Sequence, residues 1–253
     1  MDWSNTGAKS IKEQLSTLPA DEFIAAWHDV CAAFGAAMPK GLSSLAKRAA
    51  EYERVDAMRR FDLACGSLTA GVDEAGRGPL AGPVYAAAVI FPPDMLIEGL
   101  NDSKKLTAKR RAELYDEITA KALAWRVESA DIAEIEELNI LGATLKAMAA
   151  AVKGLDIPPR HVLVDGTCSR GIGLPCTCVI KGDSKSMAVA AASILAKVSR
   201  DRYMDGLDAV YPQYGFAVHK GYGTAAHIGA LRRFGASQVH RRTFIKNFEA
   251  PLC

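Results

Sequence analysis

Residues Leu68 to Pro83 read Leu-Thr-Ala-Gly-Val-Asp-Glu-Ala-Gly-Arg-Gly-Pro-Leu-Ala-Gly-Pro, and this stretch restricts the fold more than any other. A short apolar run ending in two acids reads as a strand that delivers charge at its carboxyl end, and the glycines and prolines after it forbid a simple continuation. Neighbouring side chains on a regular strand point to opposite faces, so Asp73 and Glu74 are expected to share a site only where the strand ends or bulges. Clustered carboxylates with no base beside them either hold hard divalent cations through oxygen or tune each other's pKa for acid/base work. Gly76 and Gly78 would let backbone N–H and C=O groups approach a ligand, and Arg77 offers a planar cationic fork suited to phosphate. Together these features point to a phosphodiester; a solvated Gly-rich turn is the bland alternative.

The chain has 253 residues, enough for one sizeable core with a small appendage. Its composition is that of an ordinary globular protein, 49% hydrophobic and 24% charged. No apolar run approaches the roughly 20 residues of a membrane span. The segment Met1 to Thr17 lacks the apolar core of a signal peptide, so a soluble cytoplasmic protein is expected. Cys31, Cys65, Cys168, Cys176, Cys178 and Cys253 include no C-x-x-C pair and read as reduced structural thiols without zinc. The net charge of +2 conceals an asymmetry. Residues 1–66 carry eight Lys/Arg against nine Asp/Glu, whereas residues 209–248 hold Lys220, Arg232, Arg233, Arg241, Arg242 and Lys246 with no acid. A basic end on a near-neutral chain is an electrostatic footprint for a polyanion, or else a solvated helix face.

In order, residues 1–66 read as a helical extension: Ile11 to Leu18, Asp21 to Met38 and Leu42 to Cys65, broken at Pro19 and at Pro39-Lys40-Gly41. From residue 67 to 253 the texture becomes short β-type runs alternating with Ala-rich helices, the signature of an α/β layer fold. Val84 to Phe91 suits a strand covered on both faces and antiparallel to the first. Asp102, Ser103 and Lys104 lie in a loop suited to phosphate contact or to a charged, exposed turn, before a helix capped by Thr107 that runs to Leu123. Trp125 to Ala130 is expected as a strand and Asp131 to Lys153 as helix. His161 to Asp165 is a strand ending in Asp165-Gly166 as the first ends in its acids, so the carboxylates meet if the two strands are neighbours. Thr177 to Lys181 is a fifth strand. Asp183 precedes the helix Met187 to Ala209, where it is placed either as a helix cap or as a site acid. Tyr211 to Thr224 reads as a long aromatic, Gly-rich and basic loop suited to stacking on sugars or bases, or else as a structural Tyr-rich loop, before a last helix near Ala225 to Phe234.

Six segments in this order resemble ribonuclease HII, the type 2 ribonuclease H family. They are Gly-Val-Asp-Glu-Ala-Gly-Arg-Gly-Pro-Leu-Ala-Gly-Pro from Gly71, Asp-Ser-Lys-Lys-Leu from Asp102, Asp165-Gly166, Lys-Gly-Asp-Ser-Lys-Ser from Lys181, Ala-Ala-Ala-Ser-Ile-Leu-Ala-Lys-Val from Ala190 and His-Lys-Gly-Tyr-Gly-Thr from His219. The resemblance spans about Thr69 to Phe248. It implies an α/β RNase H-like fold, a mixed central β-sheet flanked by helices, with the helical extension before it and a basic helical part at its end. It implies metal-binding catalytic carboxylates at Asp73, Glu74, Asp165 and Asp183, with Mg²⁺ or Mn²⁺, two per site during catalysis. Gly76, Arg77 and Gly78 would match the segment that reads the ribonucleotide 2′-OH, Tyr222 the aromatic that stacks on the deoxyribose after the junction, and Lys104 and Lys185 basic phosphate contacts. The implied substrates are RNA–DNA hybrids and duplex DNA containing ribonucleotides, incised on the 5′ side to leave 5′-phosphate and 3′-hydroxyl ends; a monomer is expected, though the sequence itself is silent on oligomeric state. The type 3 enzymes share the four acids but differ in the Gly-rich segment and in their amino-terminal domain.

Other classes make different demands. A silent nucleic-acid-binding module needs the basic tail and aromatic loop but not four motif-placed acids. A nucleotide-binding switch needs a Walker-type loop, which the sequence lacks. A DNA nuclease or recombinase on the same fold stays open, set aside only by the resemblance of Gly76-Arg77-Gly78.

Overall fold

The computed structural model describes residues 3–248. Its centre is a five-stranded sheet in the order β3-β2-β1-β4-β5, built from β1 (Thr69–Ala75), β2 (Val84–Ile90), β3 (Ala124–Ala130), β4 (His161–Asp165) and β5 (Cys176–Val179). β1 pairs antiparallel with β2, as the short spacing between them predicts, and β2 with β3; β1 with β4 and β4 with β5 are parallel. The two strands that carry acids at their carboxyl ends are therefore direct neighbours.

Nine helices are found among the described residues. They are α1 (Ala8–Ser16), α2 (Ala20–Phe34), α3 (Ser43–Leu63), α4 (Ala108–Lys121), α5 (Ile132–Lys153), α6 (Met187–Val210), α7 (Phe216–His219), α8 (Ala225–Phe234) and α9 (Arg242–Ile245). One face of the sheet packs on α6, with α3 and α4 behind it: Ala87 and Val89 of β2 join Val55, Met58, Leu114, Ile118 and the alanines of α6 in one core. The other face, with Val72, Ala86, Ala88 and Val164, packs on Ala143, Ala147 and Ala151 of α5. The alanines let α6 lie close to the strands. Gly71 takes this to the limit, since a Cβ there would stand 2.2 Å from the backbone of Ala188 and Val189.

Helix ends follow local chemistry. Thr107 caps α4 by accepting from the Arg110 N–H, as expected, and Asp131 and Glu134 form a reciprocal capping box at the start of α5. α2 stops at Phe34, before the expected Met38, because Gly35 takes a positive φ of 51°. The segment Asp131 to Lys153 is kinked at Asn139, which has φ 58°. The expected long loop from Tyr211 to Thr224 instead contains a 3-10 turn, Pro212–Tyr214, and α7. Tyr214 and Phe216 are buried there against Leu231 and Ile245, so they are core and not a stacking surface. α1 to α3 share their own apolar cluster around Phe23, Trp27 and Tyr52, and the second half of α3 packs on the α6 layer.

No helix among the described residues is long and apolar enough to cross a membrane. The five described cysteines are free thiols, and Cys253 lies outside the described residues.

Candidate active site

β1 runs through Asp73 and Glu74 to Ala75 in unbroken register with β2, pairing Asp73 with Ala87 and Glu74 with Ala86. No bulge separates the acids, and the strand ends one residue beyond them, at Ala75. What opens the site is the other edge: pairing with β4 stops at Val72–Val164, so the last three residues of β1 have no parallel neighbour. Alternation puts Asp73 on the α6 face with Gly71, where it is buried and bonded to the Ser193 hydroxyl. Its Oδ1 also accepts from the Glu74 N–H at 2.7 Å. Glu74 is partly buried, with Arg77 Nη1 3.4 Å from its Oε1 and Lys104 and Asp165 beside it.

Asp165 ends β4, and its Oδ1 accepts from the Gly182 N–H at 2.7 Å. That bond holds the 3-10 turn Gly182–Ser184, which presents Asp183. Asp183 is not the helix cap. Ser186 caps α6 by accepting from the Val189 N–H at 3.1 Å, and Asp62 of α3 accepts from the Ala188 N–H at 2.8 Å. With the helix start satisfied by others, the Asp183 carboxylate faces Asp165, Asp102 and Lys104.

The electrostatics follow from this crowding. Burial first, then the charges of Glu74 and Asp165, raise the Asp73 carboxyl well above the usual range. Burial raises Glu74 as well, against the opposing pull of Arg77. Asp183 is raised by burial, then by Asp102 and Asp165. Mutual repulsion among oxygen donors is the condition a hard divalent cation relieves, and the donor set is all carboxylate, so the residues fit such an ion. The fit is one of donor chemistry: among the described residues no group of three or more His, Cys, Asp or Glu side chains is arranged to hold a metal ion as it stands.

The remaining motif residues divide. Gly76 is buried; its φ is 97°, and a Cβ would stand 2.1 Å from Arg200 Nε. Arg77 and Gly78 are exposed, and the nearest atom to a Cβ on Gly78 would be Tyr222 Cε1 at 3.9 Å. Tyr222 is itself 42% exposed, the accessible aromatic beside this loop. Lys104 is exposed and flanks both Glu74 and Asp183. Lys185 is exposed at the end of the Asp183 turn and makes no bond to a carboxylate among the described residues. Ser103, expected at phosphate, is buried, and its Oγ lies 2.9 Å from Ser193 Oγ, so it supports the residue that holds Asp73.

Sequence reasoning missed two residues that shape the site. Arg200 and Arg241 are fully buried and form no salt bridge among the described residues; each uses three of its five guanidinium N–H donors on backbone carbonyls. Arg200 donates to Pro83, Ala81 and Lys220 O at 3.0–3.1 Å, and Arg241 to Gly76, Arg77 and Gly82 O at 2.7–2.9 Å. Arg241 is one of the bases in the tail's expected footprint, yet it is interior. A chain of rings stands behind Tyr222: Ser237 N–H donates to His240 Nδ1, His240 Nε2 is 3.0 Å from His227 Nε2, and His227 Nδ1 is 3.0 Å from Tyr222 O.

A family model described as Ribonuclease HII matches residues 70–247. A Ribonuclease HII of Delftia acidovorans is 60% identical over 177 residues, covering 70% of this chain and 75% of the relative. One of Coxiella burnetii is 55% identical over 177 residues, covering 70% and 88%. Among solved structures, the ribonuclease H2 from Pyrococcus horikoshii aligns with TM-score 0.59 and 28% identity over 69% of this chain and 92% of that one. The RNase HII of Archaeoglobus fulgidus, solved in complex with PCNA, aligns with TM-score 0.58 and 25% identity over 71% and 94%.

Proposed function

The chain belongs to the ribonuclease HII family, endonucleases acting on RNA–DNA hybrids, and from that premise we propose that it also incises duplex DNA 5′ of embedded ribonucleotides, leaving 5′-phosphate and 3′-hydroxyl ends. The observation that carries this reading is the meeting of four carboxylates at one end of the sheet, beside an exposed Arg77-Gly78 turn and the Tyr222 ring.

Asp73, Glu74, Asp165 and Asp183 would hold Mg²⁺ or Mn²⁺, two ions during the reaction. Bound there, such ions supply Lewis acidity at the scissile phosphate. The rest of the work falls to the chain. Bare backbone at Gly76 to Gly78 approaches the ribose 2′-OH, the group that separates RNA from DNA and can both donate and accept. Tyr222 offers its face to the deoxyribose that follows the junction. Lys104 and Lys185 offer charge to phosphates, and the exposed Arg77 pairs with Glu74 beside them. The raised carboxyl pKa values favour partial protonation before cation binding, which moderates repulsion of a polyanion.

The test is product mapping on an end-labelled duplex with one ribonucleotide. The reading predicts a single cut on the 5′ side of that nucleotide, with ligatable 3′-hydroxyl and 5′-phosphate ends. A cut on its 3′ side, or ends with a 2′,3′-cyclic phosphate, would overturn it.

A further inference from the structure

We infer that Arg241 is a positioning residue for ribonucleotide recognition: its buried guanidinium draws the carbonyls of Gly76 and Arg77 inward and so aims the amides of Arg77 and Gly78 at the substrate's 2′-OH. The inference rests on the reading of Gly76-Arg77-Gly78 given above and adds the device that sets its geometry.

All peptide bonds of the described chain are trans, so the C=O of one residue and the N–H of the next point in opposite directions. Arg241 Nη2 donates to Gly76 O at 2.7 Å and Nη1 to Arg77 O at 2.9 Å. Two consecutive peptide planes are thereby fixed with their oxygens inward. Their amides, on Arg77 and Gly78, must then point outward, to the side where both residues are exposed. Neither amide has a hydrogen-bond partner among the described residues. Gly78 lies beside Tyr222, and Arg77 reaches Glu74, so the amide pair adjoins both the aromatic and the carboxylates.

Why an arginine is needed follows from its donors. A planar fork with five N–H groups can serve three carbonyls at once, and the third, from Nε to Gly82 O at 2.9 Å, closes the far end of the same loop. The Arg241 N–H adds a bond to Leu80 O at 2.8 Å, so the loop is wrapped around this residue. A buried cation with no salt bridge among the described residues is costly even with three donors engaged, which fits a site where position matters more than stability. Fixed amides aimed at a ligand atom need no reorganisation on binding, the property that makes preorganised donors effective.

Arg241→Lys keeps the charge and loses the fork. In the full chain it is expected to lower kcat/KM on a single-ribonucleotide duplex by about 10²-fold, the effect of losing a preorganised donor. The preference for 2′-OH over 2′-fluoro at the junction should collapse, while the Kd for an all-DNA duplex stays within about twofold, inside the scatter of unrelated surface changes. A folded Arg241→Lys enzyme that keeps the wild-type preference overturns the inference. If the wild type itself does not prefer 2′-OH to 2′-fluoro, the reading of Gly76-Arg77-Gly78 fails first, and that outcome is separate. Should the variant not fold, amide exchange in the wild type decides: fast exchange at Arg77 and Gly78 in the free protein, slowed by the ribonucleotide duplex but not by all-DNA, supports the inference. Amides already protected in the free protein overturn it.

Discussion

Asp73 concentrates the problem this site poses at the scale of a single residue. It is buried next to two other carboxylates, and its carboxyl group is held well above the usual range, by burial first and by Glu74 and Asp165 next. A group whose folded pKa lies above its unfolded value contributes stability at acid pH that is lost as pH rises through the folded pKa. Thermal melts in EDTA should therefore show falling stability as pH is raised from about 4, the unfolded carboxylate range, with Mg²⁺ restoring the loss at neutral pH. Asp73→Asn should flatten that fall while lowering cleavage roughly 10²–10³-fold or more; an equally steep fall in the variant would contradict the electrostatic account. Gly71 and Gly78 separate folding from recognition. Gly71→Ala drives a Cβ into the backbone of α6 and is expected to cost about 3 kcal/mol in urea unfolding. Gly78→Ala meets open space and Tyr222, so stability should shift by less than about 0.5 kcal/mol while ribonucleotide cleavage falls. Unchanged cleavage in a folded Gly78→Ala enzyme would remove this residue from the site.

At the scale of elements, the start of α6 is held from two directions. Ser186 caps it locally, and Asp62 at the end of α3 accepts from the Ala188 N–H while its buried Oδ1 has no partner among the described residues. Burial pushes the Asp62 carboxyl up to about 6, against the bonds from Ser186, Ala188 and Met187 that favour its charged form. Its contribution to stability is thus present at acid pH and lost as pH rises from about 4 through about 6. Asp62→Asn should raise the melting temperature at pH 8 and leave it unchanged near pH 4; unlike the Asp73 effect, this one should not respond to Mg²⁺. No gain at pH 8 would contradict the burial argument. Much of this level was legible in sequence, because Ala-rich helices, the Thr107 cap and the two strands ending in acids are local patterns. The contacts of Asp62, Arg200 and Arg241 were not. Each side chain satisfies backbone groups more than 100 residues away, and Arg241 among the tail bases looks like any solvated cation. The aromatic segment from Tyr211 failed for a related reason: composition does not separate Tyr214 and Phe216, which fill a core, from Tyr222, which faces solvent.

For the whole molecule, the helical residues before β1 are packed into the rest and not merely tethered to it. Val55 and Met58 of α3 belong to the core under α6, and Asp62 meets the start of that helix. A chain beginning at Ser67 should lose about 3–6 kcal/mol from the two apolar side chains, a drop of roughly 10 °C or more in Tm; an unchanged Tm would show that the catalytic layers close without α3. The same layers bring β1, β4 and the Asp183 turn to one end of the sheet, and the account stands or falls on what that end does. The most direct measurement is cleavage of three labelled duplexes, all-DNA, DNA with one ribonucleotide, and RNA–DNA hybrid, in Mg²⁺, Mn²⁺ or EDTA, with wild type beside Asp73→Asn. The account predicts metal-dependent cutting of the two ribose-containing duplexes, none of all-DNA, and loss of both activities in the variant. Cutting that persists in EDTA or in Asp73→Asn, or that extends to all-DNA, would contradict it.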